Sequence, residues 1–146
     1  MKIIFVCTGN TCRSPLAEYI MRDYCKKNKL DIDVESRGLA CSNGKSISEN
    51  SYKALQEIGI DASLHKSKSF TLRDLFDADI IIAMTKSHKD ALIYHFKADD
   101  KVKSFNEITG LGEINDPYCL GLDVYRECRE KIQKGIPIIA QKLTKK

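Results

Sequence analysis

KIIFVCTGNTCRSP, residues 2 to 15, runs from an unbroken apolar stretch through a small polar turn and onto a helix. The first six residues, KIIFVC, are rich in β-branched side chains and show no polar alternation, the pattern of a strand buried on both faces and so of the centre of a parallel sheet. Ser14 suits an N-cap and Pro15 the first helical position, and Leu16, Ala17, Ile20, Met21 and Tyr24 recur at helical spacing as one apolar face. The polar residues between them form a strand-to-helix turn at the carboxyl end of a central strand, where open α/β sheets keep their ligands.

The same alternation continues along the chain. Residues 31 to 36 read as a second strand ending in Gly38, and a loop of Ser, Asn, Gly and Lys leads to a helix from about Ser48. That helix carries Tyr52, Leu55 and Ile58 on one side and stops at Gly59. Thr71 opens a short helix with Asp74 placed for a capping box. DIIIAM, residues 79 to 84, repeats the buried-strand pattern, and Thr85 caps a helix bearing Leu92 and Phe96. Residues 101 to 105 read as a last short strand. After the turn-rich NDPYCLG comes a terminal helix from about Asp123, which Gly135 and Pro137 are expected to kink or interrupt. Repeated βα units point to a doubly wound parallel sheet with right-handed crossovers.

Bulk properties narrow the function classes. The chain of 146 residues, 42% hydrophobic, can bury one proper core, and a single domain over residues 1–146 is expected. A net charge of +4 fits anionic ligands, but Lys and Arg are scattered rather than gathered in a stripe, which argues against a nucleic-acid binder. The N-terminus lacks the features of a signal peptide and no run reaches the length of a membrane span, so a cytoplasmic location with no membrane partner is expected. Six cysteines, at 7, 12, 25, 41, 119 and 128, form neither a CxxC pair nor a zinc spacing, and no metal or organic cofactor is implied.

The loop itself carries the chemistry. Gly9 and Asn10 tolerate positive φ, so Thr8, Gly9, Asn10, Thr11 and Cys12 can curl until successive amides point inward as an anion nest closed by the helix N-terminus. Arg13 can grip two oxygens of a phosphoryl group. A thiol at Cys7 beneath such a nest sees dipoles and a guanidinium that favour the thiolate, and Ser14 can donate to that sulfur in competition with its capping role. Nucleophile and preorganised donors together suit attack on phosphorus. The leaving group then needs a proton. Asp116, in the turn NDPYC, lies late enough in the chain to fold over the same sheet edge, where desolvation and a neighbouring phosphate would favour the proton it needs as an acid.

CTGNTCRSP near the N-terminus together with DPY late in a chain of this size resembles the low-molecular-weight protein tyrosine phosphatases over essentially the whole length. The resemblance implies a three-layer sandwich with a four-stranded parallel sheet of order 2-1-3-4 and helices on both faces. It implies Cys7 as the nucleophile that forms a phosphocysteine, Arg13 as the phosphate-binding residue and Asp116 as general acid and base. Asn10 resembles the residue that holds the loop in shape, Ser14 the one that tunes the sulfur, Tyr118 the aromatic wall beside the substrate and His65 a buried histidine supporting the loop. Substrates would be phosphorylated proteins or small phosphorylated molecules, with inorganic phosphate as product. Many members carry an aliphatic residue at Thr11; threonine there resembles the bacterial branch acting as protein-arginine phosphatases. Its hydroxyl could bond a guanidinium where isoleucine would pack on a phenyl ring. Cys119 stands where many relatives have a second aromatic, so the substrate platform is expected to be reduced on that side. Cys12, in the same loop, could trap oxidised Cys7 as a reversible disulfide.

Two other readings compete. Thioredoxin-coupled arsenate reductases look similar in fold and in the Cys-five-Arg loop, but they carry a further cysteine pair in mid-chain and residues 77 to 100 here contain none. GLACSNGKS, residues 38 to 46, resembles a nucleotide-binding Walker loop but has five residues, not four, between Gly38 and Gly44.

Overall fold

A computed structural model describes residues 1–98 and 100–145; Asp99 and Lys146 lie outside the described residues. The order is β1 (Lys2–Cys7), α1 (Arg13–Lys27), β2 (Asp33–Gly38), α2 (Glu49–Gln56), α3 (Leu72–Asp77), β3 (Ile80–Ala83), α4 (Lys86–Phe96), β4 (Val102–Ser104), α5 (Phe105–Thr109) and α6 (Leu122–Thr144). The four strands pair in parallel in the order β2-β1-β3-β4, with Cys7 opposite Gly38 and Phe5 opposite both Ser36 and Ile82.

Strand periodicity divides the core in two. Ile3, Phe5 and Cys7 of β1 face one side, with Leu16, Ala17 and Met21 of α1, Leu55 of α2 and Ile132, Ile136 and Ile139 of α6. Ile4 and Val6 face the other, with Phe70, Leu92 and Val102, and with Leu75 of α3 and Phe96 of α4 packed around them. Because β1 is central and both its faces are fully buried, no polar residue fits there, which is why KIIFVC reads as one unbroken apolar run. Each large aliphatic side chain so buried contributes on the order of 1.5–3 kcal/mol. The three layers and the strand order are those expected.

Several boundaries differ from the sequence reading. Helix α1 starts earlier, with Cys12 as its N-cap and no side-chain cap, because the Ser14 hydroxyl is turned toward Cys7 instead. Pro15 is accordingly the third helical residue, still within the first turn where its missing N–H costs nothing. Strand β2 begins at Asp33. Capping at Ser48, Thr71 and Thr85 is as expected, with a full capping box between Thr71 and Asp74. Helix α5 has no counterpart in the sequence reading although its signal was present: Ser104 and Glu107 form a second capping box.

The largest correction concerns α6, which runs unbroken through Gly135 and Pro137. Gly135 is there for space, not flexibility, since a Cβ at that position would lie 2.3 Å from the Phe105 ring. Burial of Ile136, Ile139 and Ala140 on either side of Pro137 holds the helix through the one amide bond it lacks. No helix among the described residues is long and apolar enough to cross a membrane.

Candidate active site

The turn from β1 to α1 is held from within by Asn10. Its φ of 55° is left-handed, a conformation that asparagine tolerates better than most residues, and its side chain is fully buried. Nδ2 donates to the hydroxyls of Ser14 and Ser36, both at 2.9 Å, while Oδ1 accepts from the Lys68 amide at 2.9 Å. His65 Nε2 bonds the Asn10 carbonyl at 2.8 Å. Behind them the Ser36 hydroxyl donates to Glu18, a carboxyl that burial pushes up in pKa and that also pairs with Arg22. Every polar atom of the Asn10 side chain is satisfied, so the turn has one conformation to adopt. Among the described residues the amides of Thr8, Gly9, Asn10, Thr11 and Cys12 find no carbonyl partner, as an anion nest requires.

The reactive groups lie around that turn. Cys7 is 2% exposed, and its sulfur is 2.9 Å from Ser14 Oγ. Ser14 accepts from Asn10 and has only the Arg37 carbonyl, at 3.4 Å, as another outlet for its proton. Arg13, 5% exposed, is steered by two bonds: Nη1 donates to the Ile114 carbonyl at 3.2 Å and Nη2 to Thr8 Oγ1 at 3.5 Å. Asp116 faces the same Nη2 at 3.9 Å and is held in its turn by the Tyr118 amide, which donates to Oδ1 at 3.1 Å.

Cys7, Thr8, Gly9, Thr11, Cys12, Arg13, Asp116 and Tyr118 together line a cavity of about 240 Å³. The structure therefore brings the two distant motifs into one site. A neighbouring cavity of about 310 Å³ also touches Asp116, but its other walls, Leu120, Val124, Cys128 and Lys131 among them, offer neither the phosphate loop nor Arg13.

Three expectations change. Asp116 is 57% exposed, so the protein itself does not desolvate it; any exclusion of water there must come with the substrate. Cys119 is exposed, has a left-handed φ of 64° and lies outside the cavity wall, its position fixed by the turn. Ser14 is a partner of the sulfur and not a cap. The loop read as a near-Walker motif is instead pinned to the chain around Ser67, which accepts from the Gly44 amide and whose hydroxyl accepts from the Lys45 amide.

Sequence reasoning missed three contributors. His88, 7% exposed at the start of α4, bonds Thr8 Oγ1 at 2.9 Å; its only sequence signal was a position three residues after the cap Thr85. Tyr125 of α6 places its hydroxyl 3.6 Å from Cys12 Sγ, and burial raises its pKa. The Ile114 carbonyl, a backbone group, left no signal at all.

The family model described as low molecular weight phosphotyrosine protein phosphatase matches residues 2–146. This chain belongs to that family. It is therefore an enzyme of the low-molecular-weight phosphatase class, with the fold of that class. Among curated relatives, a low molecular weight protein-tyrosine-phosphatase PtpB from Staphylococcus haemolyticus is 38% identical over 133 residues, 90% of this chain and 92% of its own length. A protein-arginine-phosphatase from Bacillus subtilis (strain 168) is 35% identical over 148 residues, covering 99% of this chain and 98% of its own. Among solved structures, the YwlE arginine phosphatase in a Cys-to-Ser form with a phosphorylated active-site serine aligns at a TM-score of 0.95 and 34% identity, covering 99% of this chain and 97% of that one. The arsenate reductase reading is not favoured by any of these likenesses.

Proposed function

We propose that this enzyme is a phosphoprotein phosphatase that dephosphorylates arginine side chains through a phosphocysteine on Cys7. In the first step the Cys7 thiolate attacks phosphorus, the P–N bond to the guanidine breaks, and the Asp116 carboxyl supplies the proton to the leaving nitrogen. Arg13 and the loop amides of residues 8–14 hold the non-bridging oxygens as charge builds on them. In the second step the Asp116 carboxylate takes a proton from water, whose oxygen attacks phosphorus; the P–S bond breaks, and the thiolate returns to the Ser14 hydroxyl as inorganic phosphate leaves. The observation carrying this reading is the convergence of Cys7, Ser14, Arg13 and Asp116 on one cavity.

The choice of arginine rests on Thr11. Thr11 lines the cavity, and among the described residues its hydroxyl has only a 3.9 Å contact to Cys12 Sγ, which leaves it available to a guanidinium N–H. Phosphotyrosine is the second reading, supported by Tyr118, a residue 70% exposed that lines the cavity and can pack on a phenyl group. Turnover of phosphoarginine and phosphotyrosine substrates by the wild type, Cys7→Ser, Asp116→Ala and Thr11→Ile separates the claims. Cys7→Ser should abolish both activities and Asp116→Ala should lower rate more than binding. Thr11→Ile should shift the ratio toward phosphotyrosine; an unchanged ratio removes the arginine reading.

Cys12 has a redox role on this account. It shares the cavity wall with Cys7, so a sulfenic acid formed on Cys7 by peroxide condenses with the Cys12 thiol, releasing water and forming a disulfide that thiols reverse. Peroxide inactivation should be reversible in the wild type and irreversible in Cys12→Ser; equal recovery in both sinks this role.

A further inference from the structure

His88 belongs to neither motif and does not line the cavity, yet it is among the most fully engaged side chains near it. It is 93% buried, taking the complement of its 7% exposure. Both ring nitrogens are used: Nε2 bonds Thr8 Oγ1 at 2.9 Å and Nδ1 bonds Thr85 Oγ1 at 3.0 Å. Thr85 also accepts from the His88 amide at 3.3 Å, which fixes the ring to the first turn of α4. On the other side, Thr8 Oγ1 accepts from Arg13 Nη2. A guanidinium can only donate and a neutral imidazole has one donor and one acceptor, so either tautomer yields a continuous chain from Arg13 through Thr8 and His88 to Thr85.

That chain has a mechanical consequence. Arg13 Nη2 lies between two oxygens, Thr8 Oγ1 and the Asp116 carboxylate at 3.9 Å. Asp116 attracts the guanidinium and sits on an exposed turn; the bond to Thr8 opposes that pull from the body of the protein. A threonine hydroxyl rotates freely unless something fixes it. We propose that His88 is a positioning residue: it fixes the Thr8 hydroxyl so that Arg13 is set for the phosphoryl oxygens before substrate arrives. Preorganisation of this kind places the donor where charge develops with no rearrangement in the reaction. The ring is neutral at neutral pH. Burial first, and then the Arg13 cation, hold its pKa at about 4, with Asp116 and Glu113 opposing more weakly, so the chain persists across neutral pH.

The inference rests on the reading of Arg13 as the phosphoryl clamp, and the test keeps the two apart. Affinity for inorganic phosphate is measured by calorimetry and kcat/KM on a phosphorylated substrate, for Arg13→Ala, Thr8→Val and His88→Phe, →Gln and →Asn, each checked for folding by thermal unfolding. Glutamine can place its amide where Nε2 lies and so reach Thr8, whereas asparagine reaches only as far as Nδ1 and serves Thr85. His88→Phe should weaken phosphate binding and kcat/KM together by about three- to tenfold, the worth of one hydrogen bond. His88→Gln should restore much of both and His88→Asn should not; Thr8→Val should reproduce the loss and make a further His88→Phe silent.

If His88 only caps α4, the pattern reverses: asparagine rescues, glutamine does not, and Thr8→Val and His88→Phe multiply. That result overturns the inference, as does phosphate affinity unchanged in His88→Gln and His88→Asn alike together with unchanged affinity in Thr8→Val. The Gln, Asn and Thr8→Val arms decide the matter even if His88→Phe does not fold. Retained phosphate affinity in Arg13→Ala would instead remove the clamp reading itself.

Discussion

The hydroxyl of Ser14 lies 2.9 Å from the sulfur of Cys7, although a serine two places into a helix would ordinarily serve the helix. With Asn10 donating to it, Ser14 has its own proton to give, and the sulfur is nearer than the Arg37 carbonyl at 3.4 Å. A bond to a charged sulfur is stronger than one to a neutral thiol. Ser14→Ala should therefore lower kcat by about ten- to a hundredfold with little change in KM, matching the roughly 1.5–3 kcal/mol of a hydrogen bond to a charged group. Steady-state kinetics check this; a change in KM alone would assign Ser14 to substrate binding.

Gly38 is the sheet partner of Cys7, and it holds the phosphate loop by proximity. A Cβ there would stand 2.8 Å from the Thr8 carbonyl oxygen, 2.7 Å from Cys41 Sγ and 3.1 Å from Asn10 Cβ. The Cys41 side chain can turn away, but the backbone oxygen can move only with the loop. Gly38→Ala should cost about 1–3 kcal/mol of stability and lose phosphate affinity in the molecules that remain folded. Unaltered affinity in calorimetry would show that the loop is not braced against this strand end.

Stability should fall in two stages on acidification. His88 is held at about 4 by burial and by Arg13, against 6.5 unfolded, so below pH 6.5 the unfolded chain takes up a proton that the folded one refuses. The stability present above 6.5 is lost between 6.5 and 4, by about 3 kcal/mol. For Glu35, burial pushes the carboxyl up, but bonds from Lys2 and Arg37 outweigh it and hold it at about 2, so its contribution is lost between 4.5 and 2. Urea unfolding over a pH series should show both stages, with His88→Gln reducing the upper and Glu35→Gln the lower, the remainder of which belongs to carboxylates such as Glu57 and Glu107 that are also held low by their partners. Because burial raises the Glu18 carboxyl and so opposes His88 in part of this range, the decisive comparison is with the variant: identical slopes from 6.5 to 4 in the wild type and His88→Gln would contradict the burial of a neutral His88.

How much of this was legible in the sequence follows from where each determinant resides. Strand β1 was legible because burial on both faces forbids polar residues, and the caps at Ser48, Thr71 and Thr85 because local hydrogen bonds constrain residue type at short spacing. Cys7, Arg13 and Ser14 lie within one loop, so their spacing carries their chemistry. Asp116 could be matched to them through its own motif, but its exposure depends on the fold of a turn and was misjudged. Unbroken α6 escaped because Gly135 answers to Phe105, thirty positions away, and Pro137 to packing rather than local propensity. His88 and the Ile114 carbonyl act on the loop only through tertiary contact, the former across 80 positions and the latter through the backbone, where side-chain patterns say nothing.

The central claim is that the Cys7 sulfur becomes bonded to phosphorus. Mixing Asp116→Ala with a phosphorylated substrate, quenching in acid within the first turnover and mapping the protein by mass spectrometry tests it directly. The expected result is one phosphoryl group on the peptide containing Cys7, localised to the Cys7 sulfur by fragmentation and chased off by time in the wild type. Turnover in the wild type with no phosphoryl group ever trapped on Cys7, or trapping on another residue while Cys7 is intact, would contradict it.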